Sequence, residues 1–418
     1  MMTKPHSSSA PWDYDVLIVG GSLVGLTLAA WLGQSGMRVL VIESQRGMAG
    51  TAARVYALMP LTQRVWETLG VWPRLAAQVQ TYNRIDLSDR GRHNIIFTPA
   101  DLGGKQELGY VAEHRQIWPI LRDFVREIPS VTYWEGQQLL DFVIDPTAVT
   151  VNIQINDQCN DKYKSPSHSQ RNDAIIRLSV GLIVGADGAK SQVRQQAGIK
   201  TWGWSYWQSC VTTVIQAGFP PIAYERFWPA GPLALLPLPE QRWGIVWTLP
   251  HAQANDCMAL PAEDFLARLK PYLPFQEVHI EPQRRSFPVA WRQARRYVQP
   301  RLALVGDAAH GCHPVGGQGL NWGIRDAATL GEILVSVYQR GGDVGAFNVL
   351  KKYERWRWPQ NLLTLLFTDS LNRVFSQGWE PLVSLRALLL KTMQRWGALR
   401  RLSLHFMAGL WGKLPDNL

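Results

Sequence analysis

The sequence predicts an α/β protein: a Rossmann-like nucleotide-binding unit, an interleaved β-rich second lobe, and helices at the C-terminal end. Three apolar strand patterns, each running into a glycine-containing turn, predict this. They are Tyr14-Asp15-Val16-Leu17-Ile18-Val19 before Gly20, Leu182-Ile183-Val184 before Gly185-Ala186-Asp187-Gly188, and Leu302-Ala303-Leu304-Val305 before Gly306-Asp307. Short continuous apolar runs bounded by turn residues suit strands of a sheet covered on both faces.

The first unit is the most complete. Gly20-Gly21-Ser22-Leu23-Val24-Gly25 follows the strand, and an apolar helix pattern follows the turn. Arg38-Val39-Leu40-Val41-Ile42 is the next strand, ending in Glu43. This is a dinucleotide-binding βαβ unit, with a pyrophosphate site at the helix start and an acid for ribose hydroxyls. Ser22 stands where the second glycine of the fingerprint normally lets the backbone approach a phosphate. Serine is the smallest hydroxylated replacement, and its hydroxyl is able to hydrogen-bond a phosphate oxygen.

Residues 306–326 (GDAAHGCHPVGGQGLNWGIRD) are the most informative stretch. Asp307 sits where a strand ends, and a carboxylate there accepts from sugar-type hydroxyls. Pro314, Gly316, Gly317 and Gly319 leave little bulk, so backbone can lie close to a flat ligand. A helix beginning near Gln318 points its free N–H groups and positive dipole end at that ligand. The arrangement suits a ring that becomes anionic, as a reduced flavin does.

In this order and at these separations the three motifs resemble the single-component flavoprotein aromatic hydroxylases, whose fold is that of para-hydroxybenzoate hydroxylase. Residues 313–326 (HPVGGQGLNWGIRD) match the pattern of the ubiquinone-biosynthesis hydroxylases in particular. Arg54-Val55-Tyr56-Ala57-Leu58, residues 109–115 (GYVAEHR), residues 353–357 (YERWR) and residues 369–376 (DSLNRVFS) fit the same branch. The resemblance implies noncovalent FAD, NAD(P)H as a transient reductant without a Rossmann unit of its own, and O2 as co-substrate. Reduced flavin then forms a C4a-hydroperoxide that places one oxygen atom on a phenol ring. The substrate implied is a prenylated phenol or other quinone precursor.

By position, the resemblance assigns Gly20, Gly25 and Glu43 to the AMP half of FAD, and Gly21 and Ser22 of the same turn are expected to bind the cofactor with them. Arg54 and Arg115 fall along the pyrophosphate and ribityl chain. Asp187 is the acid of the Asp-Gly turn, and Asp307 the ribitol contact. Pro314, Gly319, Leu320 and Asn321 form the wall beside the isoalloxazine. No side chain is assigned as catalytic base. His310 and His313 are the nearest titratable groups in sequence and read as loop-structuring residues. No metal site is expected.

Composition agrees with a multi-lobed enzyme. The 418 residues are 46% hydrophobic and 18% charged, enough for more than one core. The four cysteines, Cys159, Cys210, Cys257 and Cys312, have neither zinc-site nor disulfide-framework spacing. The formal net charge is +10 without a dense Lys/Arg run, which favours an anionic cofactor or membrane surface over nucleic acid. Residues 1–11 read as a disordered polar tail without the apolar core of a signal peptide. A cytoplasmic location is expected, with peripheral contact to the inner face of a membrane.

The nucleotide-binding lobe is expected over residues 12–80, 108–200 and 300–341, the substrate lobe over residues 81–107 and 201–299, and a helical region over residues 342–418. Residues 157–173 read as a polar hairpin insert. Trp202, Trp204, Trp207, Trp228, Trp243 and Trp247 make the substrate lobe rich in indole, and an aromatic-lined pocket is expected for the lobe as a whole. Residues 379–418 are amphipathic. Arg386, Lys391, Arg395, Arg400, Arg401 and Lys413 outnumber Glu380 and Asp416, as in helices that lie in a membrane interface.

Two other functions are open to the sequence. A flavin-dependent halogenase shares the fold, but the halogenase Trp-x-Trp-x-Ile-Pro signature is absent: Trp243 and Trp247 are wrongly spaced for it. A catalytically silent FAD- or prenyl-lipid-binding protein is the other, with Ser22 its only support. A hydroxylase of small soluble phenols is the nearest enzymatic alternative. The sequence gives no oligomeric state.

Overall fold

The computed structural model describes residues 12–47, 54–104, 107–156, 173–410 and 412–415. The N-terminal tail and most of the polar insert lie outside the described residues. The strands flanking the insert, Val149–Asn156 and Asp173–Gly185, pair antiparallel in continuous register up to Asn156 and Asp173.

The first sheet carries the strands Val298–Gln299, Leu302–Leu304, Asp173–Gly185, Tyr14–Val19, Val39–Glu43 and Val131–Glu135 as neighbours in that order. The last five run parallel. Val16, Leu17 and Ile18 are fully buried, as a central strand covered on both faces requires. One cover is the helix Leu23–Gln34, which packs on the helix Gln318–Tyr338. Glycines make that approach possible. A Cβ on Gly323 would meet Val24 at 2.6 Å, and one on Gly331 would meet Trp31 at 2.7 Å.

The second sheet contains Ile85–Asp89, Arg92–Phe97, Thr201–Gln216, Ala223–Trp228, Gly231–Leu238, Arg242–Pro250, His279–Ala294 and His310–Gly311. Its two faces have different jobs. Val211, Ile215, Trp243, Ile245 and Trp247 pack under the helices His251–Ala259 and Ala262–Leu269. Cys210 and Val246 lie on the opposite face, in one cluster with Cys312 and Trp322 of the nucleotide-binding lobe. The indole-lined pocket is therefore corrected in part. Trp228, Trp243 and Trp247 belong to the outer core, because strand alternation sends them away from the first sheet. Trp202 and Trp204 share a face, as their spacing predicts, and both pack on Trp291 at 4.9 and 4.5 Å between ring centroids.

A small third sheet, Val55–Leu58, Gly109–Glu113 and Gln80–Tyr82, carries the two outlying motif segments side by side. The helix Phe347–Phe375 ties the lobes together. Its Tyr353 hydroxyl donates to the Leu304 carbonyl of the first sheet at 2.8 Å. Its last residue, Phe375, stacks on Phe227 of the second sheet at 4.2 Å. Two further helices, Glu380–Arg395 and Gly397–Met407, close the described chain.

Candidate functional site

The C-terminal ends of four neighbouring strands form one edge of the first sheet. In order across it stand Glu43, Gly20, the turn at Asp187, and the turn at Asp307. Three strand spacings put about 14 Å between the outer two. Residues far apart in sequence thus line one elongated crevice, where open parallel sheets bind ligands.

The turn at Gly20 is set by close backbone approach. Gly20 has φ +112°, and a Cβ there would meet the Ala186 carbonyl oxygen at 2.4 Å. A Cβ on Gly25 would meet the Gly20 carbonyl oxygen at 2.0 Å. Glu43 accepts from the Gly21 amide at 2.8 Å and the Gln45 amide at 2.9 Å, which fixes its carboxylate at the strand end. Ser22 is the N-cap of the helix Leu23–Gln34, yet its side chain makes no capping bond. The first-turn amides and the exposed Ser22 hydroxyl are left for an anion.

Asp187 caps the short helix Gln192–Gln196, with Oδ2 accepting from the Gln192 amide at 2.7 Å and the Val193 amide at 3.0 Å. Its Oδ1 is buried without a partner. Asp307 opens into the crevice. The surrounding protein raises its carboxyl, against the pull of His310, Arg54 and Arg292. Behind it, His310 Nε2 lies 2.6 Å from Asp326 Oδ2, and Arg357 Nε donates to Asp326 Oδ1 at 2.7 Å. Burial alone would raise the Asp326 carboxyl; His310 and Arg357 together pull it well below the usual carboxylate range. The Gly306 amide also donates to Asp326, at 3.2 Å, so this ionised group anchors the turn that presents Asp307.

The loop of residues 314–319 turns on Gly316 and Gly317, at φ +70° and +61°, and delivers the N-terminus of the helix Gln318–Tyr338. Gly319 is in helical conformation and needs no glycine for packing: its nearest obstacle to a Cβ is Cys312 Sγ at 3.6 Å. His313 is fully buried, and its Nδ1 accepts from the Val315 amide at 3.2 Å. Burial holds its ring neutral, pushing it down to about 3.

Two more assigned residues are engaged by protein partners. Arg115 pairs with Glu113 at 2.8 Å, in a cluster that also holds Arg242 and Glu281. Asn321 accepts from the Met59 amide and the Thr62 hydroxyl, and donates to the carbonyls of Ala57 and Gly317. It thereby clamps the loop to the third sheet. Arg54 is exposed, and its charge bears on Asp307, Tyr56 and His114. Pro314 and Leu320 are half-buried along the loop.

Sequence reasoning missed Trp118, whose Nε1 donates to the Gly21 carbonyl at 2.8 Å. It also missed Tyr133, whose buried hydroxyl has no partner and lies 2.8 Å from where a Gly21 Cβ would be. Neither stands in a motif.

These features fit FAD. The glycine cradle leaves the first-turn amides open to a pyrophosphate, Glu43 and Asp307 offer acceptors to its sugar-type hydroxyls, and the Gly316-Gly317 turn brings backbone of little bulk to a helix N-terminus, where a flat ring can lie close.

Comparison with known proteins agrees. The family described as FAD binding domain matches residues 13–361. The ubiquinone hydroxylase UbiL of Rhodospirillum rubrum is 36% identical, over 97% of this chain and 92% of its own. The 3-demethoxyubiquinol 3-hydroxylase of Escherichia coli is 31% identical over 95% and 98%. The crystal structure of p-nitrophenol 4-monooxygenase PnpA from Pseudomonas putida superposes with a TM-score of 0.77 at 21% identity, covering 94% of this chain and 98% of that one. That likeness is one of fold.

Proposed function

The chain belongs to the FAD-binding-domain family and, within it, to the ubiquinone-biosynthesis hydroxylases; from that premise we propose that it hydroxylates the ring of a polyprenylated phenol on a quinone pathway. The observation that carries this reading is the meeting of Glu43, Gly20, Asp187 and Asp307 on one sheet edge, with the loop of residues 314–319 delivering a helix N-terminus between the lobes.

Bound FAD, reduced by NAD(P)H, supplies the reaction with O2. The chain's residues do the rest. The helix start at Ser22 holds the pyrophosphate, Glu43 and Asp307 accept from sugar hydroxyls, and the dipole of the helix Gln318–Tyr338 favours negative charge on the ring. Cys210, Val246 and Trp322 help keep the space between the lobes apolar and poor in water.

A small apolar cleft, with room for little more than one water, lies between Val315 and Gly316 of the flavin loop, Phe367 and Leu371 of the long helix, and Phe406 and Met407 of the C-terminal helices. On those helices Leu385, Leu388, Leu389 and Leu402 are exposed, with Trp396 between them, and Lys391, Arg395 and Arg401 are exposed as well. Such a face suits an anionic membrane interface. Arg386 and Arg400 do not belong to it: they pair with Asp89 at 2.6 Å and Asp101 at 2.7 Å. Among the described residues no helix is long and apolar enough to cross a membrane.

Deleting the gene and extracting lipids tests the reading. A prenylated phenol lacking one ring hydroxyl should accumulate. An unchanged quinone and precursor profile would refute it.

A further inference from the structure

Hydroxylation of a phenol is helped by a group that meets the phenolic oxygen, and none is evident in the motifs. The second sheet offers one. Glu225, in the strand Ala223–Trp228, is paired with Leu87 on one side and Ala234 on the other. Ala234 pairs with Val246, and Val246 with Thr212. Directly paired residues share a face, so these five form one row across the sheet. Val246 places the row on the face that meets Cys312 and Trp322. Val315 of the flavin loop packs in one cluster with Ala223 and Phe227, two residues before and two after Glu225 on the same face, which sets the Glu225 carboxylate at the junction of the lobes.

The surroundings of Glu225 do not call for a charge. The strand Ile85–Asp89 presents Leu87, the strand Gly231–Leu238 presents Ala234, and the helix Phe347–Phe375 packs on the same face through Phe375 and Phe227. The titratable side chain whose charge bears on Glu225 is the Cys210 thiol, three strands away on the same face; burial pushes it up to about 12, with Glu225 adding to the shift. Among the described residues no cation pairs with Glu225. At the far end of the row, the buried Thr212 hydroxyl also lacks a partner. Small Ala234 and Val246 lie between these two polar groups. A lone carboxylate in an apolar row costs stability, and a ring bearing hydroxyl groups is the ligand chemistry that would use it.

Resting on the hydroxylase reading above, we propose that Glu225 is the catalytic base: its carboxylate accepts the hydrogen bond of the substrate's phenolic hydroxyl and takes that proton as the ring is hydroxylated. The O–H electron pair stays on the phenolic oxygen and raises the electron density of the ring. When the attacked carbon loses its hydrogen as a proton and the ring regains aromaticity, Glu225 returns the phenolic proton. The oxygen atom and electrons come from O2 and NAD(P)H, as in the hydroxylation itself. Burial raises the Glu225 carboxyl to about 7, with the Gly316 amide opposing, so the group is poised for proton transfer near neutrality.

The test compares wild type, Glu225→Gln and Glu225→Asp with a prenylated phenol in detergent, rates being normalised to bound FAD. Product formed and NAD(P)H consumed are both followed against pH. In wild type, product per NAD(P)H should rise through about pH 7 as the carboxyl ionises. Glu225→Gln should lose product formation by about 100-fold and lose this pH limb, while Glu225→Asp keeps the limb. A second readout is melting temperature. The folded state holds the proton between about pH 4.3 and 7, so wild type loses stability as pH rises through that window. Glu225→Gln should gain on wild type there. A Glu225→Gln enzyme with wild-type yield and pH limb overturns the proposal and leaves the hydroxylase reading standing. A wild-type enzyme that hydroxylates no prenylated phenol overturns both.

Discussion

His310 Nε2 and Asp326 Oδ2 lie 2.6 Å apart in the protein interior, 1% and 0% exposed, one turn behind the carboxylate that meets the crevice. Asp326 also takes Arg357 and the Gly306 amide, so a single carboxylate ties the turn at Asp307 to the long inter-lobe helix. Asp326→Ala would leave His310 buried without its carboxylate partner and the Arg357 charge with only the neutral acceptors Gln360 and Asn361. It should cost about 3–5 kcal/mol of stability and lower FAD content with it. Asp307→Ala should instead leave melting of the FAD-free protein unchanged and weaken FAD by about 1.5–3 kcal/mol. Melting curves and flavin absorbance separate the two; equal behaviour of the variants would contradict the assignment.

The glycine turn makes a sharper contrast. Gly25→Ala puts a Cβ where the Gly20 carbonyl oxygen stands, and Gly20→Val adds a branched side chain at φ +112°. Both should lose FAD and misfold the turn. Ser22→Gly removes a hydroxyl that makes no capping bond, so helix stability should change by a few tenths of a kcal/mol at most. Equilibrium titration of FAD into the purified variants checks this.

Two buried histidines predict the acid limb of stability. Burial lowers His114 to about 4, with Arg54 adding to it, and burial lowers His313 to about 3. The unfolded chain takes up protons near pH 6.5 that the folded chain refuses. Stability contributed by these groups is therefore full above about pH 6.5 and falls as pH drops toward 3–4. The double variant His114→Gln, His313→Gln should show a flatter melting temperature between pH 6.5 and 4; an unchanged slope would refute the link.

The exposed apolar and basic face of the C-terminal helices should bind anionic vesicles. Neutralising Lys391, Arg395 and Arg401 together should weaken binding by about 3 kcal/mol, roughly 100-fold, at low salt. Added salt should weaken wild type in the same way. Co-sedimentation with phosphatidylserine vesicles measures both, and equal recovery of wild type and variant would rule the face out. Arg386 and Arg400 are left intact because their partners, Asp89 and Asp101, are buried.

The parts of the site made of backbone were legible in the sequence. Strand ends, positive-φ turns and a helix start leave glycine and apolar-run signatures, and Gly20, Gly25, Gly316 and Gly317 all carry them. What side chains do with one another was not. Asn321 reads as a wall of the ring site, but its amide binds Met59, Thr62, Ala57 and Gly317. Glu225 stands in an ordinary alternating strand, and only the register that sets it between Leu87 and Ala234 reveals its isolation. The tryptophans mislead for a related reason. Indole content is visible in a sequence, whereas the side of the sheet that receives each ring depends on the partner lobe.

Turnover with isotopically labelled O2 tests the central claim most directly. The protein loaded with FAD is given NAD(P)H and a prenylated phenol in detergent, and the ring product is weighed by mass spectrometry. One labelled oxygen in the product for each NAD(P)H consumed in coupled turnover is the predicted result. Unlabelled product, or turnover confined to small water-soluble phenols, would contradict it.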